Sequence, residues 1–190
     1  VNETPSTRRK PRADARRNRQ SLLAAADTVF AEGGVDAPLE QVARRAGVGI
    51  GTLYGHFATR RALVAALLSE RNETLFDGGE NLCDRQGDPA ENLAAWVALV
   101  VEHAATYQGL AALLAEGAHD DDHELHADCA RMDRITERLT ERARDAGALR
   151  AEVTAADIAT LINAAAWTRE QAGADRAQRL IAVARTGLFA

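Results

Sequence analysis

The apolar residues of this chain recur every three or four positions, and only glycine, proline and capping residues break the recurrence. No run alternates β-branched with polar residues, so the chain reads as all-α, with about nine helices. Leu22, Leu23, Ala26, Val29 and Phe30 form one stripe of a helix that begins near Asp14 and ends at Gly33-Gly34. Pro38 fits the first position of a short second helix carrying Leu39, Val42, Ala43 and Ala46. Gly47 follows, then a third short segment through Leu53 to Phe57. Thr59 suits the N-cap of a fourth helix with Leu63, Ala66, Leu67 and Leu68, expected to end near Phe76, ahead of Gly78-Gly79. Asp88-Pro89-Ala90-Glu91 opens a helix with Leu93, Trp96, Val97, Val100 and Val101. A shorter helix is expected at Leu110–Leu114 and a long one over 125–146, closed by Gly147. Thr154 with Asp157 reads as a capping box for a helix that Gly173 ends, and a last helix starts at Asp175.

Charge divides the chain. Residues 1–71 hold 12 basic and 7 acidic side chains, the rest 11 and 21, so a +5 third stands on a −10 remainder. Such asymmetry is expected of a polyanion-binding module joined to a body that does not bind polyanions. The basic charge is densest at Arg8, Arg9, Lys10, Arg12, Arg16, Arg17 and Arg19, the first four in a segment, 1–13, expected to be a flexible arm.

Other classes find little support. The longest apolar stretches, such as Leu93–Val101, are too short to cross a bilayer, and no secretory pattern is visible, so no membrane partner and a cytoplasmic location are expected. Cys83 and Cys129 cannot build a disulfide framework. No Ser-His-Asp order, phosphate-cradling glycine loop or His-Glu-x-x-His motif occurs, so no catalytic residue and no cofactor is expected. His119, His123 and His126, with Cys129 beyond, have the spacing of one helix face and the ligand types of a zinc site. Asp120-Asp121-Asp122 is poor helix-interior chemistry, so an exposed acidic segment is favoured and no metal is expected. A metal-dependent enzyme using that cluster is one rival reading; a nonspecific nucleic-acid-binding structural protein is the other.

Ala46-Gly47-Val48 places a glycine where two short helices must turn sharply, with Val48 able to plug the angle. That is the build of a helix-turn-helix, whose second helix enters the major groove. The run from Arg16 to Leu68 carries more than spacing. Its pieces are Leu23-Ala24-Ala25-Ala26 with Val29-Phe30-Ala31-Glu32-Gly33, then Leu39-Glu40-Gln41-Val42-Ala43-Arg44-Arg45-Ala46-Gly47-Val48. Gly51-Thr52-Leu53-Tyr54-Gly55-His56-Phe57 and Thr59-Arg60-Arg61-Ala62-Leu63 follow. Together they resemble the DNA-binding domain of the tetracycline-repressor (TetR) family.

The resemblance implies a homodimeric transcription regulator, most often a repressor, bound to a pseudo-palindromic DNA operator and controlled by a small-molecule effector of unknown identity. It implies a helix-turn-helix domain over 14–58 and a ligand-binding and dimerisation domain over 59–190. Tyr54 suits a phosphate or a thymine methyl, His56 can donate to phosphate, and Thr52 and the amides near Gly51 can meet phosphate or a base edge. Arg60 stands where relatives often carry a phosphate-binding lysine, and Arg16 joins the basic face. Two positions depart from the pattern. Gly55 replaces a larger groove-facing side chain, and Pro38 replaces a capping Thr or Ser. Trp96, Tyr107, Met132 and Trp167 are expected on the inner sides of the bundle; core packing is the reading for most of them, and they are also the candidate effector-pocket residues. Ile158, Leu161, Ile162, Leu180, Ile181, Ala184 and Leu188 on the last two helices are the candidate dimer face.

Overall fold

A computed structural model describes residues 9–117 and 124–188. Among them it forms nine helices: α1 (Arg9–Gly33), α2 (Leu39–Arg45), α3 (Ile50–His56), α4 (Arg60–Asp84), α5 (Pro89–Ala104), α6 (Leu110–Gly117), α7 (His126–Asp145), α8 (Ala155–Ala172) and α9 (Ala174–Leu188). They belong to two compact units, one ending at Leu67 and the other beginning at Leu68. The division falls inside α4, not ahead of it at residue 58, because the first turns of α4 bury Leu63 and Val64 completely.

The first unit packs Leu22, Ala26, Val29 and Phe30 of α1 with Val42 of α2 and Leu53 of α3, all buried. Residues 9–13, expected in the arm, are the opening of α1. Pro11 falls in the first turn, where its missing N–H leaves no intrahelical bond unmade. The arm's remaining residues, 1–8, and its Arg8 lie outside the described residues. Helix α2 ends in a paired closure: the Val48 amide donates to the Ala43 carbonyl at 3.0 Å and the Gly47 amide to the Arg44 carbonyl at 3.1 Å. This Schellman geometry needs a left-handed residue, and Gly47 supplies it at φ +72°. Pro38 is the N-cap of α2, one residue ahead of its expected place. The Thr59 hydroxyl accepts the Ala62 amide at 2.9 Å and so caps α4.

The second unit gathers α5, α7 and α8 with the later turns of α4 around Trp96, which is fully buried. The Trp96 indole N–H donates to Thr136 Oγ1 at 2.8 Å, which removes the cost of burying that polar edge. Asp88 and the Thr154/Asp157 pair cap α5 and α8 as expected. Helix α4 runs on through Gly78-Gly79 to Asp84 instead of ending near Phe76. The reason is packing: a Cβ at Gly79 would lie 2.6 Å from Trp96 Cζ3 and 2.9 Å from Ile135 Cγ2. The glycine interrupts nothing; it admits the indole.

His103 on α5 is buried, and its Nε2 has no hydrogen-bond partner among the described residues. Burial first, and the Arg71 charge second, push its pKa down to about 4. The unfolded chain takes up this proton from about pH 6.5 downward, whereas the folded chain resists until about 4. Stability is therefore complete above the upper value and falls as pH drops through that window, by at most about 1.4 kcal/mol per pH unit. Urea midpoints measured across the window should fall with pH, and His103→Gln should flatten the fall.

Candidate nucleic-acid interface and regulatory cavity

Helix α3 has two unlike sides. Leu53 is buried within it and Phe57 at its end, while Tyr54 keeps half its surface exposed at 50%. Gly51 and Gly55 flank Tyr54 and are exposed, with open space where a Cβ would stand. Thr52 and His56 are half-buried, and the His56 ring centroid lies 6.3 Å from that of Phe57. Arg16 is exposed on α1, next to an exposed Arg17–Asp14 pair at 3.2 Å. The Arg19 guanidinium stands 5.2 Å from the Phe57 ring centroid, so one arginine of the basic face braces the end of α3. Arg45 of α2 reaches Glu32 at 3.5 Å in an exposed ion pair.

Arg60 has a task that the sequence reading did not anticipate. Its Nη1 donates to the carbonyls of Val35 and Ala37, both at 2.6 Å. Those oxygens belong to the link between α1 and α2, and the guanidinium ties that link to the start of α4. Arg60→Ala is expected to lower stability by about 1–2 kcal/mol, read by thermal unfolding, before any effect on nucleic acid is considered. A salt slope of DNA binding lowered by about one unit in the same variant would add a phosphate contact to the structural task.

The second unit holds a cavity of about 450 Å³ between α5, α6, α7 and α8. Val100, Ala104, Leu114, Cys129 and Ile162 are its buried apolar lining, and Asp133, Glu137, Thr160 and Asn163 are its exposed polar lining. Of the four expected pocket residues, Met132 alone is part of that lining. Trp96 and Tyr107 are buried and are not part of the lining, although Trp96 donates to Thr136, which is. Trp167 is 61% exposed, not on an inner side, because the buried stripe of α8 is Ile158, Ile162, Ala165 and Ala166. The acidic pair Asp133/Glu137 was missed. It was legible as an i, i+4 pair on the face of α7 away from Arg131, Arg138 and Arg142.

His119 and His123 lie outside the described residues. The buried Cys129 thiol donates to the Leu114 carbonyl at 3.3 Å, and burial, aided by Asp133 and Asp128, pushes its pKa up to about 12. It is a packing residue of the cavity wall, far from thiolate character. The expected dimer residues divide as well. Ile158 and Ile162 are buried in their own unit's core, and Leu180, Ile181 and Leu188 are half-buried against it. Leu161 and Ala184 are half-buried, and the large apolar side chains that the two helices expose are instead Trp167 and Val183, at 64%. No described helix is long and apolar enough to cross a membrane.

Residues 22–67 match the family of bacterial regulatory proteins named for TetR. Residues 88–190 match the C-terminal domain of SbtR-like transcriptional regulators, a TetR C-terminal class, and that match alone spans more than half the chain. The chain belongs to the TetR family of transcriptional regulators. Among solved structures, the TetR regulator SCO0520 of Streptomyces coelicolor is 32% identical, with 90% of this chain and 98% of that one covered and a TM-score of 0.60. The uncharacterized HTH-type regulator TtgW of Pseudomonas putida is 43% identical over 68 residues, 35% of this chain. The HTH-type regulator SrpR of Pseudomonas putida is likewise 43% identical over 68 residues. The chain spans about half the length of TtgW, at 51%, and 32% of SrpR. The all-α TetR fold thus extends over both units, and α3, with Gly51, Tyr54 and Gly55, lies inside the stretch that matches the family named for TetR.

Proposed function

We propose that the chain is a ligand-responsive repressor that binds a pseudo-palindromic operator as a homodimer. The observation that carries this is α3, a short helix set off by the Gly47 turn and anchored by Leu53, whose exposed face presents Tyr54 between two bare glycines. An isologous pair would set two such helices about one DNA turn, ~34–36 Å, apart. Trp167 of α8 and Val183 of α9 supply exposed apolar surface for the pairing, and the half-buried Leu161 and Ala184 its edge. Thr52, His56, Gly51 and Arg16 join Tyr54 as DNA contacts in this reading, with phosphate contacts fixing register and DNA shape adding what Gly55 cannot read.

The α5–α8 cavity is the effector site in the same reading. Helix α4, which starts in the first unit and ends in the second, is the element common to both. An effector acts only if it binds the releasing conformer more tightly than the DNA-bound one. Selection of bound sequences from a random DNA pool tests the core of the proposal: a dyad-symmetric motif is expected. Binding with no preferred sequence would instead make the chain a nonspecific nucleic-acid binder. Sedimentation of the full chain with and without the selected DNA reads the dimer.

A further inference from the structure

Helix α7 sorts its charges by direction. Arg131 pairs with Glu73 at 3.4 Å and lies 4.4 Å from the Phe76 ring centroid. Arg138 pairs with Glu80 and Asp84, and Arg142 donates to the carbonyls of Leu82, Cys83 and Arg85. These three arginines are taken by α4 and the chain just after it. Asp133 and Glu137, one turn apart, line the cavity, and among the described residues no basic side chain lines it. Arg134, exposed and one turn before Glu137, is the neighbouring cation, and it is not part of the lining. The polar lining from α8 is uncharged, with Thr160 and Asn163, and the buried lining is apolar apart from Thr136, whose hydroxyl accepts from the Trp96 indole and donates to the Met132 carbonyl. A ligand here meets a hydrophobic floor and a doubly negative rim.

From this geometry we infer that the cavity selects an amphipathic organic cation: an apolar body seated on Val100, Leu114, Met132 and Ile162, with an ammonium group at Asp133 and Glu137. An anionic amphiphile of the same shape would bring its charge against two carboxylates, which field repulsion disfavours. The inference rests on the effector reading above and narrows it to a ligand class.

The test uses the full chain with three probes of one chain length: octyltrimethylammonium, octanoate and octanol. Calorimetry should show saturable binding of the cation, about tenfold or more tighter than octanoate, with octanol between. Glu137→Gln and Asp133→Asn, both at exposed positions, should each weaken the cation about three- to tenfold and leave octanol unchanged. Ala159→Phe, which fills the cavity from α8, should abolish all three. In a Trp167→Phe background, the cation should shift Trp96 emission through the Thr136 contact. Equal or tighter binding of octanoate, indifference of the cation to both neutralising variants, or no saturable binding of any probe overturns the inference. Operator release is scored separately. Cation binding with this charge dependence but unchanged operator affinity would remove the cavity's regulatory role and keep its ligand class. Operator release by octanoate or octanol alone would keep the regulatory role and remove the class.

Discussion

Gly79→Val is expected to destabilise the second unit by about 3 kcal/mol or more, at a helix position where glycine is ordinarily the weaker residue. The nearest atoms to the new Cβ would be Trp96 Cζ3 at 2.6 Å and Ile135 Cγ2 at 2.9 Å, closer than real Cβ contacts come. The indole cannot retreat freely, because Thr136 holds its N–H at 2.8 Å and the ring is fully buried. Gly78 provides the control. A Cβ there meets only Leu99 Cδ1 at 3.5 Å, an ordinary contact. Gly78→Ala should therefore follow helix propensity and gain about 0.5–1 kcal/mol. Urea unfolding of the two variants should move in opposite directions. Equal shifts would mean that the glycines are backbone features only, and that Trp96 needs no gap.

This pair shows where sequence reasoning stopped. A Gly-Gly dipeptide signals a helix end when only local preference is considered. Here tertiary packing overrides it, since an indole projecting from α5 needs a neighbour without a side chain on α4. Neither residue announces the other across the intervening sequence. Local chemistry was more legible. Thr59, Asp88 and the Thr154/Asp157 pair cap the helices they precede, because capping depends on residues within one turn. Asp157 also shows the electrostatic result: hydrogen bonds from the Thr154 side chain and then its backbone hold the carboxyl below its usual range.

The two candidate sites were legible to different degrees for the same reason. Helix α3 is a contiguous segment, so the alternation of Leu53 and Phe57 with Tyr54 is visible in one line of sequence. The cavity is assembled from four helices, and which side of each helix faces it depends on angles that periodicity does not encode. Aromatic residues were natural guesses for its walls. Large rings instead fill the core, as Trp96 does, and the void opens where side chains are small, at Ala104, Ala115, Ala155 and Ala159. Arg60 shows a third limit. Its charge was legible, but the two carbonyls that it holds lie more than twenty residues earlier in the chain.

Tyr54→Ala is expected to weaken operator binding by about 1–3 kcal/mol, roughly five- to 150-fold, while changing stability by no more than about 0.5 kcal/mol. The asymmetry follows from placement. Half of the Tyr54 surface is exposed, whereas Leu53 and Phe57 carry the packing of α3 and its end. Tyr54→Phe divides the loss: retained affinity assigns the contact to the ring and a thymine methyl, and lost affinity assigns it to the phenol and a phosphate. Gly55 makes the companion measurement decisive. A Cβ built there would stand in open space, clear of the described residues packed around α3, so Gly55→Ala should stabilise the free protein by about 0.5–1 kcal/mol. If the α3 backbone rides close to the groove floor, the same methyl collides with DNA, and operator affinity falls while the melting temperature rises. Opposite movement of the two quantities would show that the bare glycines set the depth at which Tyr54 reads. Unchanged affinity beside a raised melting temperature would place the contact on Tyr54 alone and leave Gly55 outside the interface.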